Sequence, residues 1–368
     1  MKTKRTTPGV AVLVLLSALG LQPPALLAQG SLTPPGAPAP TMKTLDQVEP
    51  RIPIGPNTTP GDAEAVFKIT NSGSYYLTGN MYGQPNKSGI VIAADNVTVD
   101  LCGYSLVGVT NSLDGIRPSG LRQKITIRNG NIIGWGGNAI ASYIMGGMSE
   151  SWLGCCCYED LLAQDNGAGI FAGYSSSVFR CVARKNRGTG IALSNHSGVC
   201  KDCVADGNGG EGISCAEGAT VIHCSAQNNT GTGIYCYNSQ HTIIGCTVRY
   251  NAGGGIHACG TLIRDCTIDG NTGYGIRIVF GCMIEGCNIG GTSGAGILGE
   301  NIGGTGRSRI YGNNIHGNTV GISLTNNPGN FIYRNTLRNT TNLDLGSGNS
   351  APVSSDAATA GPWHNIAL

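Results

Sequence analysis

Charge is scarce in this chain. Asp, Glu, Lys and Arg make up 12% of its 368 residues, and the formal net charge is only +2. A nucleic-acid binder would carry a basic stripe, and a disordered chain would be more charged and less apolar. Neither class fits, so no nucleic-acid partner is expected. Bulky aromatics are few as well, with five Phe and three Trp. The apolar positions favour Ile, Val, Ala and Cys, which suits a narrow stacked core better than a broad globular one. Long hydrophobic runs are also missing. The apolar stretch from Val10 to Leu19 has ten residues, whereas a bilayer-spanning helix needs about 20, so no membrane span is expected. With Lys2, Lys4 and Arg5 ahead of it and Ala28 behind, this stretch reads as a secretory signal over residues 1–28. A secreted protein, periplasmic or extracellular, is the expectation. The Pro-rich residues 29–62, which include TPPGAPAP from Thr33, read as an extended spacer.

Glycine is abundant, at 59 residues, without the every-third-residue period of collagen. Its meaning lies in a recurring Gly-Ile doublet, whose isoleucines are Ile170, Ile191, Ile213, Ile234, Ile256, Ile276 and Ile297. The steps between them are 21, 22, 21, 22, 20 and 21 residues. So steady a period marks a solenoid, in which one unit stacks on its copies and length does not convert to domain count.

In register, the units read CVARKNRGTGI, CVADGNGGEGI, CSAQNNTGTGI, CTVRYNAGGGI, CTIDGNTGYGI and CNIGGTSGAGI. Cys181, Cys203, Cys224, Cys246, Cys266 and Cys287 form one column, and Asn186, Asn208, Asn229, Asn251 and Asn271 another. Within each unit apolar residues alternate, as at Cys266 and Ile268, and a period of two means strands. A second apolar position precedes each Cys, at Val178, Val221, Ile243, Ile263 and Ile284. Each unit of ~21 residues therefore holds about three short strands separated by Gly and Asn turns. Coils pairing at about 4.8 Å place equivalent residues on top of one another, and the Asn column reads as an amide ladder. The Gly before each Ile is expected to need a backbone conformation that a Cβ forbids. About twelve coils follow from Ile90 to Leu343. The expected division is an all-β, right-handed parallel β-helix over residues 63–348 and a cap or tail over 349–368, with Trp363 folding back over the last rung.

The pattern resembles the right-handed parallel β-helix of the pectin-lyase-like superfold over roughly residues 64 to 345. The opening coils, GIVIAADNVTVDLCGYSLVG and IRNGNIIGWGGNAI, are similar to the first coils of many secreted bacterial β-helix proteins, although Cys102 stands where relatives often have Asn. The resemblance implies a fold shared by polysaccharide lyases, glycoside hydrolases, epimerases and non-catalytic adhesins. It does not choose among them.

Fifteen Cys in an exported chain would ordinarily imply disulfides. In-register side chains point the same way rather than at each other, so buried thiols acting as small apolar fillers are expected, with Cys215 and Cys236 in a shorter inward stack. Consecutive Cys155, Cys156 and Cys157 match metal-ligand spacing poorly. No metal and no cofactor are expected.

Chemistry belongs on the outward columns. The residues after each Ile are Ala192, Ser214, Tyr235, His257, Arg277 and Leu298. Tyr235, His257 and Arg277 should therefore stand in line on three consecutive rungs, with Glu211, Tyr237 and Tyr274 beside them. Tyr can stack on sugar faces, Arg pairs with a uronate carboxylate, and His moves protons near neutral pH. In a β-elimination Arg277 would neutralise the carboxylate, with His257 or Tyr235 as the base. Three unrelated surface residues on an exposed sheet remain the alternative. Trp152, in the insertion where the repeat breaks, is either a sugar platform or a plug. Flanking columns set Arg180 over Asp202, Arg184 over Asp206 and Arg249 over Asp269, arranged like register-setting ion pairs. Asp202 and Asp206, like Asp265 and Asp269, lie about 13 Å apart along a strand, too far for a hydrolase carboxylate pair. The sequence points to a monomer that engages extracellular polysaccharide, lyase-like if catalytic. A non-catalytic adhesion or glycan-binding module is the alternative.

Overall fold

The computed structural model describes residues 50–142, 154–194, 196–299, 306–325 and 327–368. The expected signal, most of the Pro-rich stretch and Trp152 lie outside the described residues. Among the described residues there are strands and no helix. Each strand pairs in parallel with its counterpart one coil on: Ile170 opposite Ile191, Ile191 opposite Ile213, Ile213 opposite Ile234. Thirteen strands, from Ala65–Ile69 to Thr341–Leu345, form one sheet along the Ile column, and 25 form a second sheet that contains both flanks of the Cys bend. The periodicity was thus correctly legible as a parallel β-helix of about twelve coils.

The core is the stacked interior. All seven doublet isoleucines are fully buried, each contributing on the order of 1.5–3 kcal/mol by leaving water. The Gly before each Ile answers to space and not to dihedral angle, which corrects the sequence expectation. Neither Gly212 nor Gly255 is in the left-handed region. A Cβ on Gly212 would stand 2.6 Å from Asn229 Nδ2, and one on Gly255 would stand 2.2 Å from the Gly275 carbonyl oxygen.

The Asn column is a continuous amide ladder, and it starts one rung earlier than the sequence columns suggested, at Asn166. Each Nδ2 donates to the Oδ1 one coil on: Asn166 to Asn186 at 3.1 Å, Asn186 to Asn208 at 2.9 Å, Asn208 to Asn229 at 3.0 Å, then Asn229 to Asn251 and Asn251 to Asn271 at 2.9 Å. The same Oδ1 also accepts the backbone N–H of the preceding Asn, and each Nδ2 donates again to a carbonyl on an earlier coil, as Asn229 does to Ala205 at 3.1 Å. Past Asn271 the position holds Thr292, and the ladder resumes from Asn318 to Asn339. The Cys column is handed on likewise. Beyond Cys287 its place is taken by Asn313, Asn335 and Asn365, joined at 2.9 Å.

Both ends differ from expectation. The spacer read to residue 62 is too long, because Ile52–Pro53 already pair in parallel with Tyr75–Tyr76 and Ile54 is buried. Proline-rich composition hid the alternation of Ile52 and Ile54. The tail is a further coil and not a lid: Asn365–Ala367 pair with the strand at Thr336–Arg338, and Asn335 bonds Asn365. Trp363 is mostly exposed and sits edge-on against Tyr333 on the outer flank, 5.7 Å between ring centres.

Of the three expected ion pairs one forms, Arg249 to Asp269 at 3.1 Å. Arg180 turns to the preceding rung and grips Asp160 with Nε and Nη2 at 2.7 and 2.8 Å, leaving Asp202 to His223 and Lys201. Arg184 donates to Gln164 at 2.7 Å, while Asp206 accepts from Asn228. A fork-on-carboxylate bond at Asp160 outcompetes a single contact upward. These contacts lie at the surface, where solvent screens them and they contribute little, so the amides rather than the charges hold the register.

Replacing Asn229 with Ala should therefore lower stability by about 2–4 kcal/mol, because the buried Asn208 N–H and Ala205 carbonyl lose their partners. The exposed Thr230→Ala should change it by less than about 0.5 kcal/mol. Urea unfolding followed by circular dichroism measures both.

Candidate functional site

The outward column of the Ile sheet is built as the period implies. Ser214 lies opposite Tyr235, Tyr235 opposite His257, and His257 opposite Arg277. All three candidate side chains are half-buried. Register alone brings the first two into contact: the Tyr235 and His257 rings stack 4.5 Å apart and 13° from parallel. Tyr237, two residues on and therefore on the same face, packs its ring 4.4 Å from Tyr235 at 56°. Arg277 stands one rung beyond His257. Burial, with Tyr237 beside it, pushes the Tyr235 phenol above its ordinary pKa, against a downward pull from Arg277. At neutral pH that phenol stays protonated. Its expected alternative role as a base is poorly matched to this environment.

The flanking candidates are tied to the scaffold. Glu211 accepts a hydrogen bond from Thr189 Oγ1 at 2.8 Å, on the rung before its own. Tyr274 lies back over Gly254 and its hydroxyl reaches Thr232 Oγ1 at 3.2 Å, two coils away. Gly254 makes this possible: its φ is +113°, and a Cβ there would fall 2.3 Å from the Tyr274 ring. Tyr274 is therefore a wall beside the column, and Glu211 is a bonded neighbour.

On the other side, Tyr235, Tyr237 and His257 line a concavity of about 650 Å³, with Phe280, Asn238 and Glu217 completing its rim. It opens to solvent and is neither a flat wall nor a deep groove. Arg277 is outside its lining. The turn that carries Tyr237 and Asn238 is pinned from below by His241, which the sequence reading missed. His241 is buried, donates from Nε2 to the Tyr237 carbonyl at 2.6 Å, and accepts the Ala219 N–H on Nδ1 at 3.2 Å. These bonds require the neutral ring, and burial depresses its pKa. Phe280 and His241 were missed because they sit in turns, where no column repeats. A second aromatic group could have been found from spacing: Tyr311 and Tyr333, 22 residues apart, stack at 5.1 Å and adjoin Trp363.

Two family models match parts of the chain: "Right handed beta helix region" over residues 255–356 and "Periplasmic copper-binding protein (NosD)" over residues 156–261. No curated protein matches it. Among solved structures it is similar to the A-module of the mannuronan C-5 epimerase AlgE4 of Azotobacter vinelandii. The two are 14% identical over 81% of this chain and 91% of that one, with a TM-score of 0.50. It is also similar to the periplasmic alginate epimerase AlgG, 12% identical over 73% and 75% of the two chains, again with a TM-score of 0.50. At this identity the likeness concerns the fold. The chain folds as a right-handed parallel β-helix.

The site also yields a pH dependence. His241 has a folded-state pKa below the unfolded value of about 6.5, so the unfolded chain binds the extra proton. Its stabilising bonds are present in full above that value and are lost as pH falls below it. The urea midpoint should drop from pH 7 to pH 5, and the drop should shrink in His241→Gln. An equal drop in both would remove His241 as the cause.

Proposed function

We propose that the column Tyr235–His257–Arg277 binds an anionic, uronate-containing polysaccharide outside the cytoplasm and, if it turns the substrate over, removes a proton α to the uronate carboxylate. The carrying observation is the parallel Tyr235–His257 stack with Arg277 on the next rung, beside an open concavity with an aromatic rim. Arg277 would pair with the carboxylate in a two-point contact, which acidifies the adjacent C–H. His257 is the candidate base and Tyr235, kept protonated, the donor to a departing oxygen. Tyr237 and Phe280 offer ring surface to sugar faces. The two alginate epimerases that share the fold act on a polymer of this class by their names, which supports the reading. A non-catalytic glycan-binding role has its own support in the openness of the concavity.

Incubating the protein with alginate, pectate and other uronate polymers distinguishes these roles. Elimination gives unsaturated ends that absorb in the ultraviolet, and epimerisation gives an altered uronate ratio by NMR. His257→Ala should cost about 10²–10⁴-fold in turnover, with binding retained. In the binding role no substrate is altered, and Arg277→Ala abolishes retention on immobilised uronate polymer. Unchanged activity and retention in both variants would remove the site.

A further inference from the structure

The outer flank of the second sheet carries an aromatic column that the proposed site does not use. Tyr311, Tyr333 and Trp363 each stand two residues ahead of a ladder asparagine, Asn313, Asn335 and Asn365. The ladder therefore brings the three rings to successive rungs. Tyr311 and Tyr333 stack 5.1 Å apart and 4° from parallel, and Trp363 meets Tyr333 at 66°. Cross-strand stacking supports a sheet, and it accounts for the two tyrosines. It does not account for Trp363 and Phe331, which are 62% and 58% exposed beside them. Trp363 is held in that position. The Arg334 guanidinium lies over its ring, 5.6 Å from the centre, and Arg334 Nε donates to the Pro362 carbonyl at 2.9 Å. Phe331, Tyr333 and Trp363 line a concavity of about 350 Å³, within the usual range for small-ligand sites. Arg309, the register partner of Phe331, lines it too, and among the described residues no Asp or Glu does. Glu285, the register partner of Tyr311 on the coil before, is turned to Arg264 at 3.3 Å. This concavity shares no lining residue with the one beside Tyr235 and His257, and the two belong to different sheets.

We propose that Phe331, Tyr333, Trp363 and Arg309 form a second holding site for anionic polysaccharide, on a different face from the column Tyr235–His257–Arg277. The inference rests on the reading of that column as a site for uronate polymer. Sugar rings present C–H faces that pack on aromatic rings, while their hydroxyls stay hydrated, which an open concavity permits. Arg309 is placed to take a carboxylate of the same chain in a two-point contact. Two sites on one stiff rod make the second attachment intramolecular. A long polymer should therefore be bound on the order of 10²-fold more tightly than a fragment that reaches only one site.

The test adds pectate or neutral dextran to the full chain and follows tryptophan emission. Trp135 is fully buried, whereas Trp363 is open to contact. Pectate should shift the emission, dextran should not, and the shift should vanish in Trp363→Ala. Retention on immobilised pectate should fall on the order of 10²-fold in Trp363→Ala, with binding of a short uronate oligomer at the Tyr235 column unchanged. Phe331→Ala and Arg309→Ala alter exposed side chains and should lower retention in the same direction, so the test survives any disturbance of the last coil by Trp363→Ala. Failure of the column reading is separable: the emission shift then persists in a chain carrying both His257→Ala and Arg277→Ala, and the holding site stands alone. No shift with pectate, an equal shift with dextran, or retention unchanged by all three substitutions would each overturn the proposal. So would an emission that varies with protein concentration alone, which would mark a contact between copies of the chain.

Discussion

The structure depends on buried asparagine amides that are satisfied by their own copies and by backbone groups on neighbouring coils. An Asn side chain in an apolar interior is costly unless each of its polar atoms finds a partner. Here Oδ1 takes two bonds from the coil before, and Nδ2 gives one to the next Asn and one to a carbonyl. A coil that slipped by one residue would break all of these at once and turn the apolar face outward. Hydrophobic stacking of Ile on Ile favours collapse but tolerates small shifts. The amides do not, so they fix which residue lies over which.

That fixed register is what makes a site out of side chains 20 to 22 residues apart in sequence. Tyr235, His257 and Arg277 share no local segment and owe their alignment to the ladder beneath them. The same constraint stacks Tyr311 on Tyr333. A charge-poor exterior with exposed ion pairs adds little to the fold, which leaves the outward columns free to vary with function.

The sequence made legible whatever repeats. The Ile, Asn and Cys columns, the parallel register and the line of outward residues could all be read because stacking converts a period into position. It obscured what each side chain does once placed. Arg180 had carboxylates on both neighbouring rungs and chose Asp160, and Tyr274 lay down into space left by Gly254. An open coil end exposes unpaired strand edges and so suggests a lid at Trp363, yet Asn365 continues the ladder and the coil goes on. His241 and Phe280 belong to turns, where spacing carries no information. In each case the deciding interaction was a local choice between several reachable partners.

The most direct measurement of the central claim is a pair of double-mutant cycles in urea unfolding. Asn186 and Asn208 occupy adjacent rungs, whereas Asn186 and Asn271 are separated by three intervening ones. With Ala at each position, the adjacent pair should show a coupling of about 0.5–3 kcal/mol and the distant pair should be additive within about 0.5 kcal/mol. Additivity in both pairs would mean that the amides do not hold one coil to the next, and would contradict the account.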